Sequence, residues 1–246
     1  MFKTLFPIFL IIGGCSLNNS NSTHNHLPNI PLENFFKNPE MSSFQLSPDG
    51  KYISYMKPWK DGNRMMNVYV KSIDSNDEVR ITKASKRSLY GYFWLNNNRI
   101  AYIQDKGGDE NIHIYAVDID GKNDIDLTPF ENIQARITDD LEDDPNFMLV
   151  ALNKRNPRIH DVYRLDVNSG DMEMIAENPG NISGWMTDND GKLRIATTSD
   201  GVNTGLLYRE NESEDFKNIF TNEAIIIPIK PIIKNEPNLV KSLLVV

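Results

Sequence analysis

The sequence contains a single cysteine, Cys15, among 246 residues. Because a disulfide needs two cysteines, none can form within the chain. Basic residues are also few, since 26 lysines and arginines stand against 34 aspartates and glutamates and give a net charge of −8. Proteins that bind phosphate backbones usually carry a basic surface, so this balance argues against a nucleic-acid partner. The 39% of hydrophobic residues is typical of a globular protein and excludes a disordered chain, a coiled coil and a multi-span membrane protein.

Residues 1–14 have the pattern of a secretory signal. A basic start at Lys3 precedes an apolar run from Leu5 to Ile12 that is too short for a spanning helix, which needs about 20 residues. The segment Ile12-Gly-Gly-Cys15 resembles the lipobox of bacterial lipoproteins, in which two small residues precede the lipidated cysteine. We therefore predict lipidation of Cys15 and a lipid anchor in the bacterial cell envelope, on the periplasmic side or in the outer membrane. The alternative is an ordinary signal peptide with a chance cysteine.

Residues 15–39 comprise the predicted lipidated cysteine and a flexible tether. Residues 16–31 are rich in asparagine, serine and histidine and have almost nothing to bury. His24 and His26 form an H-x-H pair, but a loose pair in a tether is a poor metal ligand set, and we predict no metal there.

Beyond residue 40 the sequence repeats itself. Four strand-like runs are each centred on a tyrosine, with steps of 46, 48 and 45 residues between Tyr69, Tyr115, Tyr163 and Tyr208. Acidic turns keep the same step, because Gly50 of Ser-Pro-Asp-Gly and Gly191 of Asp-Asn-Asp-Gly lie 141 residues apart, which is three periods of 47. Four units are therefore predicted over 41–86, 87–134, 135–182 and 183–220.

Each unit alternates short β-rich runs with Asp, Asn or Gly turns, and helical periodicity is absent. Four short antiparallel strands in a period of about 46 residues are typical of a β-propeller blade. We predict an all-β fold in which residues 40–220 form about four blades, part of a ring of seven or eight. A solenoid of two-stranded sheets is the competing interpretation.

Several stretches resemble a known family. The run from Phe44 to Tyr55 contains the Ser-Pro-Asp-Gly repeat of many periplasmic propellers. More specific are the stretch from Asp105 to Tyr115 with Leu127-Thr-Pro after it, and the run from Leu152 to Gly170. These are similar to the N-terminal propeller of bacterial prolyl oligopeptidase family serine peptidases, of the dipeptidyl aminopeptidase and acylaminoacyl peptidase type. The resemblance covers residues 40 to about 215.

Catalysis in that family belongs to a C-terminal α/β-hydrolase domain with a Gly-x-Ser-x-Gly nucleophile motif. No such motif occurs in this sequence. His113 and His160 fall in or beside predicted strands, where a hydrogen-bonded structural role is expected. We therefore assign no catalytic residue, cofactor or metal, and predict that the chain is inactive by itself.

The last segment, 221–246, departs from the repeat. It contains three prolines and the apolar run Ala-Ile-Ile-Ile-Pro-Ile, with no acidic turn or tyrosine strand. A shifted reading frame or premature stop in a longer gene is the expectation, and a natural extension is the alternative.

Three other features receive structural interpretations. The acidic run from Asp139 to Asp144 lacks the ligand spacing of an EF-hand and is predicted to be an exposed loop or hairpin. The glycines of Lys106-Gly-Gly-Asp-Glu are predicted to shape a tight loop. Trp59, Trp94 and Trp185 are expected in the core.

Two functions follow as hypotheses. The first is the non-catalytic propeller part of a prolyl oligopeptidase-like serine peptidase, truncated before its hydrolase domain, whose intact relatives cleave short peptides. The second is a stand-alone, lipid-anchored binding module resembling the propeller of the Tol system. In the first case, the open faces of the end blades are expected to promote self-association.

Overall fold

A computed structural model describes residues 29–36, 39–60 and 64–222 of the chain. The chain divides into two units, residues 1–38 and residues 39–246. In the first unit, the described residues include one short helix, α1 (Glu33–Phe36). The predicted signal, Cys15, His24 and His26 lie outside the described residues, as does the tail beyond residue 222.

The second unit contains sixteen described strands in four antiparallel sheets of four, which we call blades one to four. In every blade, strands adjacent in sequence are adjacent in the sheet. The strands are β1 (Ser42–Leu46), β2 (Tyr52–Pro58), β3 (Met66–Ser72) and β4 (Glu78–Arg80) in blade one; β5 (Gly91–Asn96), β6 (Arg99–Asp105), β7 (Ile112–Asp118) and β8 (Ile125–Asp126) in blade two; β9 (Ala135–Asp139), β10 (Phe147–Asn156), β11 (Ile159–Asp166) and β12 (Met172–Ala176) in blade three; and β13 (Ile182–Thr187), β14 (Leu193–Ser199), β15 (Thr204–Tyr208) and β16 (Lys217–Asn222) in blade four. The predicted four strands per period are confirmed, and so is the all-β partial propeller.

Acidic turns join the first two strands of blades one and four, as the repeat predicts. Gly50 and Gly191 have φ of +71° and +69°, a left-handed backbone that glycine adopts without the penalty of a Cβ. In the second turn, Asp188 Oδ1 accepts hydrogen bonds from the backbone N–H groups of Asp190 and Lys192, at 3.0 and 2.9 Å. The aspartate therefore fixes the turn that starts β14.

Consecutive blades pack face to face through three apolar clusters. Blades one and two share Met56, Val68, Ile100 and Tyr102 among others. Between blades two and three the cluster includes Ala101, Ile114, Met148, Val150 and Tyr163. Blades three and four meet at Leu141, Leu149, Val162 and Leu193. The described residues show no comparable cluster between blades four and one.

The fourth tyrosine of the repeat differs from the others in orientation. Tyr115 and Tyr163 pack against the preceding blade. In blade four, a bulge at the start of β14 shifts the register by one residue, so that Trp185 and Ala196 pair on the face toward blade three. Because successive residues of a strand point to opposite faces, Tyr208 lies on the face away from blade three.

Candidate functional site

A groove of 580 Å³ opens between blades three and four. Its walls are the loop between β9 and β10 and the turn between β13 and β14, which supply residues 139–144 and 187–192, together with Arg164 of β11. The two segments occupy equivalent positions in consecutive repeat units, one period apart, so neighbouring blades bring them side by side.

Leu141 and Gly191 form the apolar contact that sets the groove's width. The backbone N–H of Leu141 donates to Asp139 Oδ1 at 2.7 Å, and Leu141 itself has φ of +50°. Its side chain is buried, and a Cβ at position 191 would collide with Leu141 Cδ2. A hydrogen bond from Thr187 Oγ1 to Asp139 Oδ2 adds a second link between the blades. The two walls are therefore held at a fixed separation.

Carboxylates dominate the lining of the groove. Seven acidic side chains face two basic ones. Arg164 forms an ion pair with Asp144 at 2.6 Å. Arg194, which does not line the groove, forms an ion pair with Asp188 at 2.7 Å. The hydrogen bond from Arg194, followed by those from the turn backbone, lowers the pKa of Asp188 below its ordinary value of 3.8. The groove therefore keeps an excess of negative charge at neutral pH.

Three exposed acids of the loop between β9 and β10 make no ion pair among the described residues: Asp140, Glu142 and Asp143. Asp190 of the facing turn is likewise exposed and outside the ion pairs of the described residues. Their carboxylates remain free to attract a cationic group of a ligand. No group of three or more histidine, cysteine or acidic side chains in the described ranges is arranged to hold a metal ion.

The opposite end of the blades carries polar anchors that connect one blade to the next. In blade three, Asp161 accepts two hydrogen bonds from Arg155, both at 3.0 Å, and one from the backbone N–H of Asn178 at 2.7 Å. In blade one, Asn67 occupies the equivalent position, two residues before the repeat tyrosine, and bonds both backbone groups of Ala84. These anchors fix the connections between blades rather than a binding site.

The two histidines of the folded region also lie at this end. His113 is buried, and its Nδ1 lies 2.9 Å from Asp126 Oδ2. His160 is half-buried, and its Nε2 is buried with no hydrogen-bond partner among the described residues. Burial, with a smaller contribution from Arg136, lowers the pKa of His160 below its ordinary value of 6.5. Neither histidine lines the groove.

The other features singled out in the sequence have structural positions. Gly107 and Gly108 lie with positive φ in the tight loop between β6 and β7, as predicted. Trp94 Nε1 donates to Ser54 of the preceding blade at 2.9 Å, and Trp185 Nε1 donates to His160 O at 3.1 Å. Trp59 instead stacks beneath the guanidinium of Arg80, 3.5 Å from the ring centre.

The acidic loop was predicted from the sequence, but the groove was not. The loop and the turn are far apart in sequence, and neither is distinctive alone. The repeat period was the available signal, because it places equivalent turns of consecutive blades beside each other. No described helix is long and apolar enough to cross a membrane.

No family model matches the chain. Over 172 residues the chain is 35% identical to dipeptidyl aminopeptidase BIII of Pseudoxanthomonas mexicana, a match that covers 69% of this chain and 24% of the relative. It is 26% identical over 194 residues to dipeptidyl peptidase family member 6 of Caenorhabditis elegans, covering 75% of this chain and 26% of that protein. The chain thus spans about a quarter of the length of these curated relatives.

Solved structures share the fold. A prolyl endopeptidase aligns with a TM-score of 0.52 and 13% identity, covering 76% of this chain and 31% of that one. An oligogalacturonate lyase from Vibrio parahaemolyticus aligns with a TM-score of 0.53 and 10% identity, covering 74% of this chain and 55% of that one. At such identities the likeness shows the propeller fold alone, which different activities share.

Proposed function

Since the chain belongs, through its β-propeller, to the prolyl oligopeptidase family of serine peptidases, we propose that its blades are the non-catalytic part that selects short peptides for a catalytic centre. The 35% identity to a dipeptidyl aminopeptidase over 172 residues carries this proposal. A propeller suits the role because its blades form a rigid scaffold while its turns are free to contact a ligand.

The groove between blades three and four is the proposed contact for the peptide. A peptide with a free amino terminus carries a positive charge near neutral pH. Asp140, Glu142 and Asp143 offer unpaired carboxylates to that charge. Each exposed pair contributes only about 0.2–1 kcal/mol, so the expected binding is weak and sensitive to salt.

The test is calorimetric titration of the full chain with a short peptide that has either a free or an acetylated amino terminus. We expect the free peptide to bind several-fold more tightly, and the difference to become much smaller in the triple variant Asp140→Asn, Glu142→Gln, Asp143→Asn, which leaves Asp190 as the exposed unpaired acid of the facing turn. A matched control removes three exposed acids far from the groove, through Asp74→Asn, Asp77→Asn and Glu110→Gln. Equal binding of both peptides to the unmodified chain would refute amine recognition at the groove.

We further propose that lipid on Cys15 holds the protein in the bacterial cell envelope. Support comes from the Ile-Gly-Gly-Cys pattern, in which the sole cysteine occupies the lipidated position. Cys15→Ala should move the protein from the membrane fraction to the soluble fraction and abolish incorporation of labelled fatty acid. Ser16→Ala is the control and should leave both unchanged. Retention of Cys15→Ala in the membrane fraction would mean that another feature anchors the chain.

A further inference from the structure

The connection between blades one and two is a basic segment in an acidic protein. Residues 81–90, which join β4 to β5, contain Lys83, Lys86 and Arg87 and no aspartate or glutamate. All three basic residues are exposed. Lys83 and Lys86 make no ion pair among the described residues, whereas Arg87 pairs with Asp105 at the end of β6.

The fold holds the side chain of Arg87 in one place. Its Nε lies 3.6 Å from Asp105 Oδ1, and the Asp105 side chain is completely buried. Gln104 Nε2 donates to the backbone oxygen of Arg87 at 3.1 Å. The guanidinium also lies against Gly108, where a Cβ would come within 2.5 Å of Arg87 Nη1. A buried carboxylate, a side-chain amide and a glycine therefore position the guanidinium together.

Asp105 departs from the pattern of the repeat. Asn153 occupies the equivalent position in blade three, ten residues before the repeat tyrosine, and its Oδ1 accepts a hydrogen bond from the backbone N–H of Gln134 at 2.6 Å. In blade two, Asp105 Oδ2 accepts from the hydroxyl of Tyr90 at 3.2 Å, and Oδ1 is buried with no hydrogen-bond partner in the described part of the chain. Oδ1 instead faces Arg87, and a buried carboxylate retains its cation because separating them is costly.

The outer edge of the Arg87 guanidinium is accessible to a ligand. The side chain is 46% exposed, and neither Nη1 nor Nη2 makes a hydrogen bond within the described ranges. Tyr90, which shares Asp105 with Arg87, is 54% exposed. A guanidinium presents parallel N–H donors in a fixed plane, and this geometry matches the two oxygens of a carboxylate.

The net charge around Arg87 is balanced, so the direction of its donors matters more than the field. Residues 81–90 and 105–111 together with Asp126, which pairs with Lys106 at 3.5 Å, contain four bases and four acids. The bases are Lys83, Lys86, Arg87 and Lys106, and the acids are Asp105, Asp109, Glu110 and Asp126. Binding of an anion here is therefore expected to be weak and to depend on the geometry of one guanidinium.

We propose that Arg87 binds a carboxylate group through its Nη1 and Nη2 edge, with Asp105 and Gly108 as positioning residues. Two sources of such a group are the carboxy terminus of a short peptide and the side chain of an aspartate or glutamate. The connection before β5 and the hairpin between β6 and β7 lie at the opposite end of the blades from the acidic groove. The proposal is therefore independent of what the groove binds.

The test is a ligand-observed NMR titration of the full chain with N-acetyl-trialanine, which has no free amine for the groove. We expect this peptide to bind several-fold more tightly than its carboxy-terminal amide. Acetylated and amidated Ala-Asp-Ala identifies the source, because its carboxylate is on a side chain. Binding equal to that of N-acetyl-trialanine assigns the site to carboxylates in general, and weaker binding assigns it to a carboxy terminus. Equal binding of N-acetyl-trialanine and its amide would overturn the proposal.

The first variant changes the guanidinium and keeps its charge. Arg87→Lys leaves a cation beside Asp105 but removes the parallel donors, and it should weaken binding of N-acetyl-trialanine several-fold. Arg158→Lys is the matched control, because Arg158 is exposed in the hairpin between β10 and β11, and it should change nothing. Equal effects of the two substitutions would contradict a specific role for Arg87.

Two adjacent glycines test whether the position of the guanidinium matters. Gly107 and Gly108 have φ of +79° and +97°, so alanine strains the backbone at both. A Cβ at Gly107 meets nothing within 4 Å, whereas one at Gly108 displaces Arg87. Gly108→Ala should reduce the preference for N-acetyl-trialanine over its amide, and Gly107→Ala should not. Circular dichroism checks that both variants retain their strands, and an unchanged preference in Gly108→Ala would overturn the positioning of Arg87 for a ligand.

Discussion

Arg155 donates two hydrogen bonds to Asp161, both at 3.0 Å, and the Asp161 side chain is completely removed from solvent. The pair joins the hairpin between β10 and β11 to the connection that leads into blade four, because Arg155 Nη2 also donates to Asn178 O at 2.8 Å. A charge interaction thus ties blade three to the connection that leads into blade four.

Removing the cation from this pair should destabilise the folded protein. Arg155→Met leaves the buried Asp161 carboxylate with the Asn178 N–H as its remaining donor, and we expect a loss of about 3 kcal/mol in the free energy of unfolding. Urea denaturation measures it. Arg158→Met, in the same hairpin and exposed, is the control and should change stability by no more than about 0.5 kcal/mol. Equal effects of the two substitutions would contradict a structural role for the ion pair.

Substitution of Asn67, the polar anchor of blade one, should also destabilise the fold. Asn67 is fully buried; its side chain donates to Met65 O and Ala84 O and accepts from Ala84 N and Thr82 Oγ1. Asn67→Ala leaves these groups unsatisfied and should cost about 3 kcal/mol. Asn76→Ala removes a single exposed hydrogen bond to Lys71 and should be nearly neutral in the same denaturation experiment.

Alanine substitutions of two glycines at equivalent positions of the repeat distinguish the cost of backbone strain from the cost of displaced side-chain packing. Gly50 and Gly191 have nearly the same positive φ, but a Cβ at Gly50 meets nothing within 4 Å, whereas one at Gly191 collides with Leu141. Gly50→Ala should therefore cost about 1 kcal/mol from backbone strain. Gly191→Ala should cost about 1–3 kcal/mol more, because Leu141 must move out of its packed position. Thermal unfolding compares the two, and equal costs would show that the contact does not constrain the groove.

His160 should make stability depend on pH. Burial keeps its pKa in the folded protein below 6.5, so the unfolded chain binds the proton more readily. Stability should accordingly be full above about pH 6.5 and fall as the pH decreases toward the lowered pKa. Between pH 7 and 5 the acids with lowered pKa, such as Asp188, stay ionised and contribute no slope.

The corresponding variant is His160→Gln, compared with the unmodified chain by urea denaturation at pH 7 and pH 5. The variant should lose less stability than the unmodified chain on acidification. The groups facing the ring are Arg136 of β9, whose charge also disfavours protonation, and Asp161, whose charge favours it. A greater loss in the variant would mean that protonated His160 is stabilised in the fold.

The positions of the strands could be predicted because the repeat signal is local. Each blade needs a run of β-forming residues ended by an Asp, Asn or Gly turn, and both recur in the sequence at a period of about 46 residues. The fold class, the four strands per unit and the loop at Gly107 and Gly108 could be predicted from that repeating pattern of strands and turns. The exposure of the acidic loop at residues 139–144 could likewise be predicted, because consecutive charged residues cannot be buried without partners.

Orientation could not be predicted in the same way. A tyrosine at every period suggests four equivalent side chains, yet Tyr208 lies on the opposite face from Tyr115 and Tyr163, because one bulged residue in β14 reverses the alternation. The groove depends on a comparable detail, the packing of Leu141 over Gly191 across two blades.

By itself, then, the sequence determined the strands, turns and repeat count of this protein, since these depend on residue preferences within a few positions. The tertiary structure alone decided which side chains meet between blades and where carboxylates of two turns share one groove. Those outcomes depend on register and on blade-to-blade packing, which bring together residues about 48 positions apart, such as Asp139 and Thr187.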